Sequence, residues 1–544
     1  MRQGSCRKQP PSRALALTIL SVLVIVGAIL RTVAITKTAL WGDEALTLII
    51  KNWGARDLML SPVDPTPGLY YLLHLAFVAD GSGLGAVRAI SAIAGTLTII
   101  AGYYLGLATL GRRAGIILAA LIALSPAMID YSQEARCYAV LILVFAIAAI
   151  GLTIWGNSLD QAKARAFGLI LFTIGSVLAF YTHVISIFWI GPATLIGSTS
   201  TFRSGNIRSR TLWLTTLVAM TFTSLAEVRR SVWRMRLGGG FDWLTQTSPQ
   251  EAVATLGSVW LPVGVDSHPE PSAGFDSLAA LMIGTLALLA WRSWRQRENL
   301  KRILASRPAT LWVMAVLLAA PVLMWLFGFA VTPIFMQRTV LPFALGFFML
   351  IALLDAAGER WLAPMIVAGS LMSLAAGGTV RAKPDWGGVA KELGLQVKPG
   401  DAILMCATWE YPALRNALPA RLPAPVLVVN GKGHLVEFKD RAGQENHWAR
   451  VYFDAIQEDQ FAKILGRPVR TPPPASLRGY RHMWWVQSSC TEEEIMALSA
   501  NADWSAQWRL FRSWKLPHYA PIGLWVNKPP PQDFTPDASS IHTS

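Results

Sequence analysis

The 544-residue chain is 53% hydrophobic and only 15% charged, with a mean hydropathy of +0.41, which excludes an ordinary water-soluble globule, where about 25% of residues are charged. Its 48 Lys and Arg against 33 Asp and Glu leave a formal charge of +15, but the basic residues form short clusters between long apolar runs, a topology signal rather than a nucleic-acid footprint. Cys6, Cys137, Cys406 and Cys490 have no metal-ligand spacing, and the sequence has no HExxH, no GxxxxGK[ST] and no GxGxxG after a strand, which argues against a zincin, a P-loop ATPase and a dinucleotide enzyme.

A bilayer core of about 30 Å needs roughly 20 apolar residues per helix, and that ruler predicts about eleven spans. They fall near 14–34, 85–109, 114–130, 137–156, 166–181, 184–200, 211–227, 276–292, 309–331, 339–356 and 361–378. The first follows Arg2, Arg7, Lys8 and Arg13, is long, and has no small-residue cleavage site behind it, so it reads as an uncleaved anchor. With the N-terminus in the cytoplasm, the alternate loops hold 18 Lys and Arg inside against 9 outside, the bias that retention of basic residues produces. An odd number of spans then puts everything after about residue 380 outside. Arg229, Arg230, Arg234 and Arg236 go against the count, either because a span is miscounted or because they bind an anion.

The sequence therefore predicts a polytopic α-helical membrane protein with a C-terminal extracytoplasmic α/β domain. Residues 1–380 form the membrane domain, with outer loops at 37–84 and 228–275. Residues 381–530 form the second domain and 531–544 a disordered Pro- and Ser-rich tail. In the tail domain the pattern predicts a helix at 385–395, a turn at Pro399-Gly400-Asp401 and a strand at 402–406. An apolar run at 425–429, a helix near 447–465, a strand near 482–487, a helix opened by Thr491 and Glu494, and a strand at 523–526 follow. Cys406 and Cys490 each end a predicted strand, as a disulfide or as two buried thiols.

Polar residues gather at one face of the predicted bundle. The first outer loop carries Trp41-Gly42-Asp43-Glu44-Ala45, then Asp64-Pro65-Thr66-Pro67-Gly68-Leu69-Tyr70-Tyr71. Taken alone, the Asp43–Glu44 pair is better explained by a solvated loop with helix-capping acids. Leu69–Val78 is apolar but too short to span, so it should lie along the interface as a shelf. A second cluster, Asp130 to Tyr138 with Glu134 and Arg136, falls at the turn between the third and fourth spans. His183 and Arg338 lie at outer ends of later spans, positions where a lone His or Arg is usually an interfacial anchor. Four polar clusters on one face, each attached to a helix end, are what a site at a membrane surface needs.

These residues resemble the GT-C membrane glycosyltransferases, in particular the protein O-mannosyltransferase and aminoarabinose transferase-like branch. The resemblance rests on Trp-Gly-Asp-Glu-Ala after the first span, Asp-x-x-Pro-x-Leu-Tyr-Tyr at the shelf, Val87-Arg88-Ala89-Ile90-Ser91-Ala92, and Ala123-Leu124-Ser125-Pro126 followed by Tyr131-Ser132-Gln133-Glu134-Ala135-Arg136. It is strong over residues 40–140 and rests beyond them on topology, Arg338 and Lys383-Pro384-Asp385-Trp386. Many relatives have His-Pro-Pro where this chain has Thr66-Pro67-Gly68.

The resemblance implies inverting transfer of a sugar from a polyprenyl-phosphate donor to an acceptor outside the bacterial inner membrane: lipid A or its core, another glycan or lipid, or a protein. It implies Asp43 as base, with Glu44 as a secondary carboxylate. An inverting transfer also needs the departing phosphate neutralised, and Arg338 with one or more of Arg229, Arg230, Arg234 and Arg236 are the candidates, because a guanidinium offers a two-pronged fork. Asp64, Tyr70, Tyr71, Glu134, Arg136 and His183 would shape or contact the substrates. No cofactor is called for by the spacing; a divalent ion such as Mg or Mn, if one takes part, would fall to Glu44 or Asp64. The partners expected are the bilayer, the lipid-linked donor and an envelope acceptor, and no nucleic acid. Two other classes compete: a flippase for lipid-linked sugars, against which polar residues within the spans are sparse, and a non-catalytic scaffold, for which Asp43→Asn would be harmless.

Overall fold

The computed structural model describes residues 11–51, 55, 68–79, 82–158, 161–203, 207–236, 245–262, 273–377, 386–405, 410–419, 423–429, 435–438, 480–486, 508–515 and 521–527. The chain divides into two compact units, Met1–Lys37 with Gly54–Ala382, and Thr38–Trp53 with Lys383–Ser544.

The first unit is a helical membrane bundle. Among the described residues nine helices are long and apolar enough to cross a bilayer. They include α1 (Arg13–Thr32), and, after α2 (Gly42–Ile50) and α3 (Leu69–Phe77), α4 (Leu84–Thr109). The predicted third span is two helices, α5 (Arg112–Leu124) and α6 (Pro126–Ser132), bent by 60°. Pro126 cannot continue the hydrogen-bond ladder of α5 but suits the first turn of a new helix, and Ser125 Oγ accepts the Met128 N–H at 3.4 Å to cap it. Next come α7 (Tyr138–Asn157), α8 (Ala162–Thr182), α9 (Ile187–Arg203), α10 (Ile207–Arg236), α11 (Pro249–Trp260) and α12 (Ala273–Arg295). Then follow α13 (Arg297–Ser306), α14 (Pro308–Ala330), α15 (Gln337–Val340), α16 (Ala344–Ala357) and α17 (Leu362–Ala375).

The eleven expected spans fall on these nine helices, the bent pair and α17, which has only 14 residues and at 1.5 Å per residue reaches about 21 Å. The expected loop at 228–275 is in part helical. α10 carries helix through Arg236, and α11, opened by a Ser248/Glu251 capping box, lies within the loop.

α4, α7 and the run from Gln337 to Ala357 define two ends of this unit. One end holds the starts of these three elements, and the other holds Thr109, Asn157 and Ala357. At the second end Glu359 accepts from Arg292, Gln296 and Trp361 at 3.1, 3.0 and 2.9 Å. The Gln296 hydrogen bond, helped by Trp361 and the Arg292 charge, holds the Glu359 carboxyl below its usual range. A depressed carboxylate contributes stability that is full above its unfolded value and is lost as pH falls through the folded one. We therefore expect Glu359→Gln to lower stability by about 1.5–3 kcal/mol near neutral pH, with the gap to wild type closing as pH falls below about 4.5. Thermal unfolding of both proteins in detergent across pH reads this, and a gap that does not change with pH refutes it.

The second unit is a mixed α/β fold. Its described elements are α18 (Trp386–Gln396), β1 (Ala402–Met405), α19 (Tyr411–Ala417), β2 (Val426–Val429), β3 (Leu435–Phe438), β4 (His482–Val486), β5 (Trp508–Lys515) and β6 (Pro521–Asn527). The sheet order is β3-β2-β1-β4-β6-β5, with β1 parallel to β2 and β4 and the outer pairs antiparallel. All four residues of β1 are buried, as a central strand covered on both faces requires. Asp401, at the turn where Gly400 has φ +92°, accepts from Lys398 N at 3.0 Å and Trp484 Nε1 at 3.2 Å and meets His482 Nδ1 at 2.8 Å, which ties β1 to β4. β3, β5 and α19 are additions to the pattern expected from sequence. The helices expected near 447–465 and after Thr491, both cysteines Cys406 and Cys490, and the tail 531–544 lie outside the described residues.

Thr38–Trp53 belongs to this second unit rather than to the membrane bundle that the sequence-based division gave it to. Its helix α2 buries Ala45, Leu46 and Ile50 and packs against α19, whose Tyr411 and Leu414 are also buried.

Candidate active site

In the membrane unit the turn between α6 and α7 gathers the predicted clusters. Tyr131, Glu134, Arg136 and Tyr138 are all buried there. Arg136 Nη1 donates to Tyr71 Oη at 3.3 Å, its carbonyl accepts from Ser91 Oγ at 3.1 Å, and Ser91 Oγ lies 2.9 Å from Tyr70 Oη. The shelf helix α3 and the start of α4 are thereby fastened to the Glu134–Arg136 turn. His74, which sequence reading passed over, completes that fastening: its Nε2 donates to Val87 O at 2.9 Å.

On the other side of the turn, Tyr131 Oη donates to Gln337 Oε1 at 3.2 Å, and Gln337 Nε2 donates to Ser258 Oγ at 2.9 Å. This brings α15, which carries half-buried Arg338, and α11 to the same end of the bundle. The Tyr138 ring lies 5.5 Å from Tyr131 and 5.8 Å from His183 between centroids. His183 Nδ1 accepts the Ile185 N–H at 3.2 Å, which leaves the ring proton on Nε2 in the neutral form.

The break before Pro126 is held by Arg31, in the last turn of α1 and fully buried. Its guanidinium donates to Ile122 O at 3.0 Å and Ala123 O at 3.2 Å. These are carbonyls that α5 leaves without intrahelical partners at its C-terminus. A cation there also opposes the negative end of the α5 dipole. Gln133 Nε2 on Leu30 O, 2.8 Å, adds a second tie. Arg31 lies within the first predicted span, and its signal is the cost of a lone arginine in an apolar run. Arg31→Lys keeps the charge but cannot hold both carbonyls with a fork, so we expect a loss of about 1–3 kcal/mol from one unmet buried carbonyl. Thermal unfolding of the purified variant checks it, and an unchanged midpoint would remove Arg31 from this role.

In the basic cluster at the end of α10 one arginine has a carboxylate partner. Arg230 is buried and paired bidentately with buried Glu227, Nε to Oε2 at 2.8 Å and Nη2 to Oε1 at 2.7 Å. Glu227 also accepts from Ser231 Oγ at 3.1 Å. Sequence reading ended a span at Glu227 without giving it a role, although an acid three residues before an arginine on a helix is a pairing signal. Arg229 is exposed, Arg234 and Arg236 lie on the same helix, and Asp64 is outside the described residues.

The remaining two predicted residues sit in the second unit, in the first turn of α2. Glu44 is buried, and its Oε2 accepts the Trp41 N–H at 3.4 Å, the returning half of a capping box. Asp43, next to it, is half-buried, and a carboxylate in that first turn interacts favourably with the helix dipole. Glu44 therefore builds the helix start, and Asp43 is the carboxylate of the pair with surface to offer. Among the described residues no three His, Cys, Asp or Glu side chains gather as an ion would require.

No family model matches the sequence, and no curated protein matches it. Solved structures do match. A structure of the Archaeoglobus fulgidus oligosaccharyltransferase, tethered to an acceptor peptide containing an NVT sequon, aligns at 12% identity over 96% of this chain and 75% of that one, with a TM-score of 0.50. This chain has the GT-C fold. Further matches to GT-C proteins are ArnT from Cupriavidus metallidurans bound to undecaprenyl phosphate, with 14% identity, 94% of this chain, 98% of that one and a TM-score of 0.43. The Saccharomyces cerevisiae protein O-mannosyltransferase Pmt1–Pmt2 complex bound to the sugar donor aligns at 17% identity and a TM-score of 0.33. That match covers 46% of this chain and spans little more than a third of the yeast chain, 37%.

Proposed function

We propose that this protein is an inverting glycosyltransferase, moving a hexosyl or pentosyl group from a polyprenyl-phosphate donor to an envelope acceptor at the outer face of the bacterial inner membrane. The observation that carries the reading is the gathering of Tyr70, Tyr71, Ser91, Tyr131, Arg136, Tyr138, His183 and Gln337 at one end of a GT-C bundle. The relatives in that fold support the donor class, since one is bound to undecaprenyl phosphate and another to a sugar donor. Positive-inside bias supports a cytoplasmic N-terminus and an extracytoplasmic second unit.

In this reading Asp43 takes the proton from the acceptor hydroxyl as its oxygen attacks the anomeric carbon. The bond from that carbon to the phosphate oxygen breaks, and the lipid phosphate leaves with the electron pair. Positioning and stabilisation of the leaving phosphate supply much of the rate. Arg338 is the phosphate ligand we favour, with Arg229, Arg234 and Arg236 behind it; Arg230 is neutralised by Glu227. Glu134, Arg136, His183 and the two shelf tyrosines shape the pocket for donor and acceptor. A divalent ion, if the reaction needs Mg or Mn, falls to Asp64 or Glu44, and activity lost to EDTA and regained with either metal would assign it there.

The test compares envelope glycolipids and glycoproteins by mass spectrometry in a null strain with and without the wild-type gene. Loss of one sugar-sized increment in the null, restored by the gene, supports the transferase and names its product. Unchanged glycans, with undecaprenyl-linked sugar redistributed across the membrane instead, would replace it with the flippase reading.

A further inference from the structure

We propose that the end of the membrane unit opposite the tyrosine-lined site is a docking surface for anionic phospholipid headgroups. α13 is ten residues long, about 15 Å, and cannot cross a bilayer. Leu300, Ile303 and Leu304 are half-covered along one side, while Arg297, Lys301 and Arg302 are exposed, the division of an interfacial helix lying in the headgroup plane.

The charge at this end is one-sided. Residues 112–113, 292–307 and 355–360, which meet here, carry nine basic side chains and three acidic ones. Each acid is already engaged: Asp355 with Arg113, Glu359 with Arg292, Glu298 with Lys301 and Arg297. Arg307 is spent on the α4 carbonyls of Ala108 and Thr109. Exposed Arg112, Arg295, Arg302 and Arg360 have no carboxylate among the described residues.

Tryptophans set these cations at one level. Trp291, Trp294 and Trp361 are exposed, as indoles at a membrane–water boundary are. Arg292 lies 4.5 Å over Trp291 and 5.1 Å over Trp361, Arg295 lies 5.2 Å over Trp291, and Arg297 lies 5.4 Å over Trp294. Stacking fixes a guanidinium plane while leaving N–H groups to donate, a geometry suited to phosphate oxygens. The occupant that complements such a level of cations and indoles is a leaflet rich in phosphodiesters without balancing choline.

The experiment uses the full chain, purified in detergent, stripped of lipid and offered equal phosphatidylglycerol and phosphatidylcholine of the same acyl chains. Native mass spectrometry then reads the ratio of retained lipids. Wild type should favour phosphatidylglycerol. Arg295→Gln should reduce that preference about fivefold, and Arg295→Gln with Arg297→Gln and Arg302→Gln by at least about tenfold, while the triple Arg→Lys variant keeps most of it. Equal retention of the two lipids by wild type, or an unchanged ratio in both Gln variants, overturns the proposal. Displacement of phosphatidylglycerol by an equal concentration of inorganic phosphate also overturns it, since that would mark a soluble-anion site.

Discussion

Asp43→Asn should reach the membrane folded and transfer sugar about 10²–10⁴-fold more slowly than wild type, the usual worth of a general base. Asn has the shape of Asp, and the hydrogen bond from Thr47 to this residue goes to the Asp43 backbone carbonyl, which the substitution keeps. The helix start is built by its neighbour, since Glu44 closes on Trp41. What Asn lacks is a site for the acceptor proton. Glu44→Gln is the matched control: an amide oxygen still accepts the Trp41 N–H, so activity should fall by less than about fivefold, equivalent to under 1 kcal/mol. Activity is measured as donor consumed by the purified proteins in lipid vesicles. Full activity in Asp43→Asn would remove Asp43 as the base from the mechanism.

Gly168→Leu should destabilise the membrane unit by about 3 kcal/mol or more, the upper range for overpacking. α7 and α8 meet through glycines. A Cβ on Gly168 would stand 2.7 Å from both Gly151 O and Trp155 N, and one on Gly175 would stand 2.6 Å from Ala148 N. Those obstacles are backbone, so they cannot turn aside as a side chain does, and the helices would have to part. Close approach through small residues is how helices associate where lipid removes the hydrophobic drive. Because α7 begins at Tyr138 and α8 is followed by His183, separation would also widen the 5.8 Å ring contact in the candidate site. Gly191→Ala is the control, since an added methyl there meets nothing within 4 Å. Equal midpoints for Gly168→Leu and wild type in thermal unfolding would refute the argument.

Much of the membrane unit was legible because a bilayer imposes one length on every crossing helix. The expected spans fall on observed helices from α1 to α17, with departures where Pro126 bends one span, α10 runs on to Arg236 and α17 stops at 14 residues. The 130–138 turn, the shelf tyrosines and Gln337–Arg338 could be picked out because polar residues beside apolar runs are costly without partners. Arg31 and Glu227 were passed over for the opposite reason. They lie inside apolar windows whose average hides a single charge, and their partners are found only in space or on a helix face.

From the sequence alone came the membrane class, the places of the apolar helices, the mixed α/β character of the second unit, and the polar clusters at the helix ends. Each follows from hydrophobic period and length, which are local properties of the chain. Tertiary structure decided that α2, with Asp43 and Glu44, belongs with Lys383–Ser544, that Glu227 occupies the fork of Arg230, and that Arg31 holds the break before Pro126. In each case the choice depends on burial and on satisfying polar groups that burial would otherwise leave unpaired. Linear order carries no record of which distant or neighbouring group will meet that need.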